Sequence, residues 1–321
     1  MVRKLKKKKS KILIYAAFLL MIGIAAFVYK YIIVPGYQHI FEKEYGGRIT
    51  SASSFDSSIP ISPDKLNSPN AILISLKDNT ILMQKNSEEK IYPASLTKMM
   101  TAIVAIENLP NLKEEIKLSN STFQGLYGAD ASMAGFKPGE QVRAIDLLYG
   151  ALLPSGAECC IGLADQIAGS EQNFVKIMNK KAADLGMKDT HFENATGLQN
   201  ENHYTTVKDL SILLSYALKN DTFREIFTSS RHSTAPTNKH PRGITFNSIM
   251  FEELKNQNIV GGEILGGKTG YTDEAGLCLA SLAKVDRQEY ILISTGAKGD
   301  HHSQQYNITD ALVVYNSIDK P

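Results

Sequence analysis

A hydroxyl and an amine stand one helical turn apart in Tyr92-Pro-Ala-Ser95-Leu-Thr-Lys98-Met-Met-Thr-Ala. A serine hydroxyl is a weak nucleophile at neutral pH, and a lysine kept neutral by burial can take its proton as it attacks. The i, i+3 spacing sets Ser95 and Lys98 on one helical face. Yet S-x-x-K occurs five times, beginning at Ser62, Ser87, Ser95, Ser281 and Ser317, so spacing alone singles out none of them. Context does. Ser62 lies in a polar, proline-interrupted stretch, Ser87-Glu-Glu-Lys90 is a charged turn, and Ser317 starts the last few residues. Ser281 to Lys284 reads as a strand, whose period of two points the pair to opposite faces. Only Ser95 opens a long apolar helix, over about Ala94 to Asn108, just after Pro93. There the unpaired N–H groups and the positive end of the helix dipole favour developing negative charge.

Two further segments carry chemistry. Ser155-Gly156-Ala157-Glu158 sets a second hydroxyl at a helix start, and Gly266-Gly-Lys268-Thr269-Gly270-Tyr271 sets a cation and a hydroxyl on a strand whose glycines permit close backbone approach. Neither C-x-x-C nor H-E-x-x-H spacing occurs, which argues against a metal site. His301-His302 reads as a solvated loop. Asn194 and Thr196 read as a turn in which Gly197 takes a positive φ.

The elements that must hold these residues follow from periodicity. Ala71–Leu76 and Ile81–Lys85 form an early hairpin, and Leu277–Val285 with Tyr290–Gly296 form a late one, turning at Asp286-Arg287. Between them the pattern is mainly helical, over 143–152, 156–168, 171–185, 206–218 and 221–227, and a last helix covers 309–316. Strands early and late with helices in the middle predict an α+β fold, an antiparallel sheet flanked by terminal helices with an inserted helical lobe. The site should form where sheet and lobe meet.

Composition bounds the rest. The 321 residues carry a formal charge of +2, but positions 1–11 hold seven basic residues, without which the charge is −5. The basic balance is thus a property of the tail and gives no reason to expect a nucleic-acid partner. Residues 12–34 are long and apolar enough to cross a bilayer, so the expected organisation is a basic cytoplasmic tail over 1–11, a transmembrane anchor over 12–34, an extracellular stalk over 35–67 and a catalytic domain over 68–321. A cleaved signal peptide is the competing reading, disfavoured because no good small-x-small site follows the apolar run. Cys159, Cys160 and Cys278 read as small buried thiols rather than a disulfide framework.

Taken in order, S-x-x-K at Ser95, Ser155-Gly-Ala and Lys268-Thr-Gly resemble the motif triplet of the penicillin-recognising serine enzymes. Tyr92-Pro-Ala-Ser-Leu-Thr-Lys, Lys137-Pro-Gly-Glu, Asn194-Ala-Thr-Gly-Leu, His203-Tyr-Thr-Thr and Lys268-Thr-Gly-Tyr-Thr-Asp-Glu-Ala-Gly resemble the low-molecular-mass D-alanyl-D-alanine carboxypeptidases in particular, over about residues 69 to 317. The resemblance implies a β-lactamase/transpeptidase-like fold with a five-stranded sheet. It implies peptidoglycan stem peptides ending in D-Ala-D-Ala as substrates, β-lactams as covalent inhibitors, and no cofactor. On this resemblance Ser95 attacks, Lys98 is the base and Ser155 relays a proton to the leaving D-alanine. The N–H groups of Ser95 and Tyr271 form an oxyanion hole, and Lys268, Thr269 and Gly270 bind the substrate's carboxylate end. One departure stands out: the family's usual asparagine in the second motif is Ala157 here, followed by Glu158. Either Glu158, a water or another lobe residue takes over its contact with substrate and lysine, or the site is weakened. A β-lactamase, a D,D-transpeptidase or endopeptidase, and a catalytically weak penicillin-binding sensor are the alternatives. The resemblance leaves open routine wall trimming or a part in glycopeptide resistance.

Overall fold

A computed structural model describes residues 62–318. Residues 1–61, which hold the expected tail, the expected 12–34 anchor and most of the expected stalk, lie outside the described residues, among which no helix is long and apolar enough to cross a membrane.

The frame is an antiparallel sheet. β1 (Asn70–Ser75) and β2 (Ile81–Lys85) form the early hairpin, and β9 (Leu277–Val285) and β10 (Gln288–Ala297) the late one. Asp286 and Arg287 both take positive φ, 43° and 70°, as a tight hairpin turn whose twist matches its strands requires. β8 (Gly262–Gly270) adds to β9, and the two-residue β7 (Asn258–Ile259) closes the edge, giving six strands in the order β2-β1-β10-β9-β8-β7. The five strands expected are all present. The sixth is too short to show as a period in sequence.

All six residues of β1 are buried, because both faces of the sheet are covered. Ile72 and Ile74 join Ile291, Ile293 and Leu282 under the helical lobe. Ala71 and Leu73 face the other way, with Leu292 and Ala283, against the C-terminal helix Tyr306–Tyr315. The lobe is built from α1 (Thr97–Asn108), α2 (Ala144–Leu152), α3 (Ala157–Ala168), α4 (Glu171–Asp184), α5 (Val207–Ala217) and α6 (Asp221–Thr228). These match the expected helices within a few residues. α1 is buried on every side over Thr97–Ala105, so it runs through the centre of the lobe. Residues 109–142 and 229–261 lie between the expected helices. They hold the short pairs β3 (Glu115–Lys117) with β4 (Gln141–Arg143) and β5 (Arg231–Ser233) with β6 (Thr245–Asn247), and the six-residue α7 (Ile249–Leu254), which leaves the C-terminal helix as α8. Pro138-Gly139, Pro236, Pro241 and Gly243 interrupt any longer helix there.

At the end of the stretch whose composition reads as stalk, Leu66 is packed and the exposed Asn67 is hydrogen-bonded to the fold. Leu66 is buried in the α8 cluster. Asp310 of α8, 1% exposed, accepts from the backbone and side-chain nitrogens of Asn67 at 2.9 and 2.8 Å and from the Ser68 N–H at 2.7 Å. One carboxylate thus staples the start of β1 to the last helix. Asp310→Ala leaves these three donors without their acceptor and should lower stability by roughly 2–4 kcal/mol. Urea unfolding checks it, and a loss below about 0.5 kcal/mol, within the range of an ordinary surface substitution, would show that the staple contributes little.

Candidate active site

The turn that carries Ser95 is wound tightly. Ala94–Leu96 forms a 3₁₀ turn feeding α1, and Ala94 takes φ 47°, a left-handed conformation costly for a residue with a Cβ. Gly197, at φ 82°, lies against this turn: a Cβ on it would stand 1.8 Å from the Ala94 carbonyl oxygen. Asn194 Oδ1 shapes that loop by accepting from the N–H groups of Thr196 and Gly197 at 3.1 and 2.7 Å, the turn expected from Asn-Ala-Thr-Gly.

Lys98 Nζ lies 2.9 Å from Ser95 Oγ and donates to the Thr196 carbonyl at 2.6 Å. Burial, at 3% exposure, pushes the amine pKa down. Against this act Cys160, Glu158 and Cys159 on α3. Burial raises both thiols, Cys160 to about 12, so they are neutral near pH 7; burial raises the Glu158 carboxyl too, opposed by the backbone N–H groups it accepts from, and Glu158 is the one carboxylate of the three. The Thr196 carbonyl is a contact that the sequence reading missed. So is His203, 2% exposed, which accepts from the Glu193 N–H at Nδ1, 3.2 Å, leaving Nε2–H to donate to Thr97 Oγ1 at 2.8 Å. The imidazole ties α1 to the loop that carries Thr196.

The second pair is Ser155 and Lys268. Lys268 Nζ donates to Ser155 Oγ at 2.9 Å and to the Thr269 carbonyl at 2.7 Å. Burial, and then the neighbouring Lys98, hold Lys268 well below the ordinary lysine range. Ser155 has φ 67°, so a strained backbone stands here too, between α2 and α3. The end of β8 reaches the Ser95 turn: a Cβ on Gly270 would lie 3.0 Å from the Ser95 nitrogen.

Above these groups opens a cleft of about 270 Å³. Ser95, Lys98, Ala157 and Tyr271 line it, together with the 129–132 segment and Thr196–Gln199. Ser155, Lys268 and Gly270 are buried behind that lining, and Thr269 is half-buried. Tyr271 donates to Asp273 Oδ1 at 2.7 Å, which pushes the phenol up to about 12. His301, exposed as expected of a solvated loop, also stands at the cleft, edge-on to Tyr271 with ring centroids 4.9 Å apart. Glu158 departs from expectation. It is 0% exposed and accepts from the Gly135 and Phe136 N–H groups at 2.9 and 3.3 Å, so it does not face substrate. A helix turns successive residues by about 100°, which sends Glu158 inward when Ala157 faces the cleft. Among the described residues no group of three or more His, Cys, Asp or Glu is placed to hold a metal ion.

An antiparallel sheet carrying a helical lobe, with a buried lysine on a serine at their junction, is the layout of the penicillin-recognising serine peptidases. The chain belongs to the D-alanyl-D-alanine carboxypeptidase family Peptidase_S11, whose model matches residues 57–299. It is 35% identical over 231 residues to the D-alanyl-D-alanine carboxypeptidase DacF of Bacillus subtilis, covering 71% of this chain and 57% of that one. It is 32% identical over 259 residues to DacC of Escherichia coli, covering 76% of this chain and 60% of that one. The chain therefore spans less than two thirds of these relatives' length. Among solved structures it is similar to the Streptomyces K15 DD-transpeptidase, with a TM-score of 0.71 and 26% identity over 80% of this chain and 99% of that one.

The His203 clamp makes stability depend on pH. Burial lowers its pKa from 6.5 to about 4. A depressed folded-state pKa means that its contribution is complete above about pH 6.5 and is lost as pH falls toward 4, by on the order of 3 kcal/mol. Urea unfolding at pH 7 and pH 4.5 should show the wild type losing more stability than His203→Gln. Equal losses would mean that the imidazole is not buried neutral.

Proposed function

We propose that this protein is a serine D-alanyl-D-alanine carboxypeptidase that removes the terminal D-alanine of peptidoglycan stem peptides through a Ser95 acyl-enzyme. The observation that carries the reading is the amine of Lys98, buried and 2.9 Å from Ser95 Oγ at the floor of the cleft. With its pKa lowered by burial, Lys98 takes the Ser95 proton as Oγ attacks the penultimate D-alanine carbonyl. The Ser95 and Tyr271 N–H groups meet the developing oxyanion. The C–N bond breaks, and the departing amine receives a proton through Ser155, itself hydrogen-bonded to Lys268. Water then attacks the ester, returning the Ser95 hydroxyl.

Lys268 and Thr269 hold the substrate's free carboxylate. Burial makes Lys268 a reluctant cation, so an incoming carboxylate supplies the missing counter-charge, and substrate binding is coupled to protonation of this amine. Transfer to an amine in place of water would make the same site a transpeptidase, a second reading favoured by the fold shared with the K15 enzyme. The apolar run at 12–34 supports anchoring at the cell membrane with the catalytic domain outside, where peptidoglycan lies.

Ser95→Ala should abolish both covalent labelling by penicillin and D-alanine release from a D-Ala-D-Ala peptide, because one hydroxyl forms both esters. A stable penicillin adduct on that variant would remove Ser95 from the role. Lys268→Ala should depress kcat/KM for a substrate with a free carboxylate by about a hundredfold more than for its amidated analogue, since a charge-assisted hydrogen bond is lost only in the first. Equal losses would take Lys268 out of carboxylate recognition.

A further inference from the structure

Glu158 is a fully buried carboxylate that touches no substrate position, yet two features tie it to the site. The first is a backbone strap. Glu158 Oε1 accepts from the Gly135 and Phe136 N–H groups, and the neighbouring Ala157 N–H donates to the Ser132 carbonyl at 2.8 Å. These bonds hold residues 132–136 on the first turn of α3. The same strand of chain, from Ala129 to Ser132, walls the cleft beside Ala157. The Ser132 side chain, with no hydrogen bond of its own among the described residues, is exposed on that wall. The far side of the strap is fixed by Phe136, buried edge-on to Phe246 with centroids 5.7 Å apart.

The second feature is charge. Glu158 Oε2 is buried and has no hydrogen-bond partner among the described residues. A carboxylate oxygen in that state is costly unless a cation is near. The ionisable groups facing Lys98 are Glu158, Cys159 and Cys160 on α3 and Lys268 on β8, with Glu171 of α4 and Glu140 acting on the two thiols. The thiols are neutral and Lys268 repels, so Glu158 is the carboxylate whose field reaches Lys98 directly.

We propose that Glu158 is a positioning residue for acylation at Ser95: one buried carboxylate both fastens the 132–136 strap, whose Ser132 end continues into the 129–132 wall of the cleft, and sets the charge that Lys98 meets. This rests on the Ser95 acyl-enzyme reading. It assigns the residue a role that acts through the strap and the lysine, with no substrate contact.

The test is the second-order rate of penicillin acylation of the full chain between pH 5 and 9. Glu158→Gln keeps an oxygen for the two N–H donors and removes the charge. Without the carboxylate, Lys98 releases its proton more readily, so the acidic limb should move down by roughly 0.5 to 1 pH unit. Glu158→Ala removes the anchor as well, and its plateau rate should fall about tenfold or more, the cost of a misplaced wall. If Glu158→Ala fails to fold, the limb of Glu158→Gln decides. A Glu158→Gln limb that coincides with the wild type overturns the proposal, as does a folded Glu158→Ala with the wild-type plateau. A wild-type chain that takes no label overturns the acyl-enzyme reading and this inference with it. A labelled wild type with coincident limbs overturns this inference alone.

Discussion

The structure turns on keeping an amine out of water beside a hydroxyl. On the proposed reading Lys98 serves as a base, which needs its ammonium form disfavoured, and the amine is buried in a helix that is itself buried on all sides over its first turns. Taking a lysine out of water is costly, and the cost falls when its donors find acceptors. The Thr196 carbonyl and Ser95 Oγ are those acceptors. The requirement spreads outward from there. Thr196 must present its carbonyl inward, so Asn194 and Gly197 shape its loop, and His203 holds that loop to α1.

A second consequence is strain at both serines. Ala94 beside Ser95, and Ser155 itself, take positive φ without being glycine. Each such residue costs of order 1 kcal/mol or more and persists only where its surroundings over-determine it. Here the surroundings are the sheet and the lobe. β8 packs its glycine-bearing end against the Ser95 turn, and Ser155 is caught between α2 and α3 while bonded to Lys268 from the sheet. Two apolar cores, one on each face of the sheet, make that frame stiff enough to hold both. Lys98 and Lys268 come from opposite sides of the junction, and after burial the nearby Lys98 is the next cause that holds the Lys268 pKa down.

Much of this was legible in the chain itself. Apolar period and turn residues located the hairpins and the six lobe helices, because strand and helix periods depend only on neighbours along the sequence. The S-x-x-K at Ser95 stood out because a helix start is a local signal, and the structure agrees about the decoy at Ser281, whose hydroxyl lies 3.0 Å from Tyr315 on the α8 side while Lys284 is exposed. Gly197's positive φ and the buried state of the three cysteines were readable for the same local reasons. What the chain alone could not reveal were contacts between residues far apart in sequence: Thr196 to Lys98, Lys268 to Ser155, His203 to Thr97 and Asp310 to Asn67. Nor did it tell that Glu158 faces the strap and not the cleft, since that choice depends on the rotation of α3 against segments some twenty residues earlier. Sequence determined which groups the protein owns and the local turn each sits in. Tertiary structure decided which pairs meet and how dry they are, because hydrogen-bond reach and desolvation are properties of three-dimensional packing and leave no period in the chain.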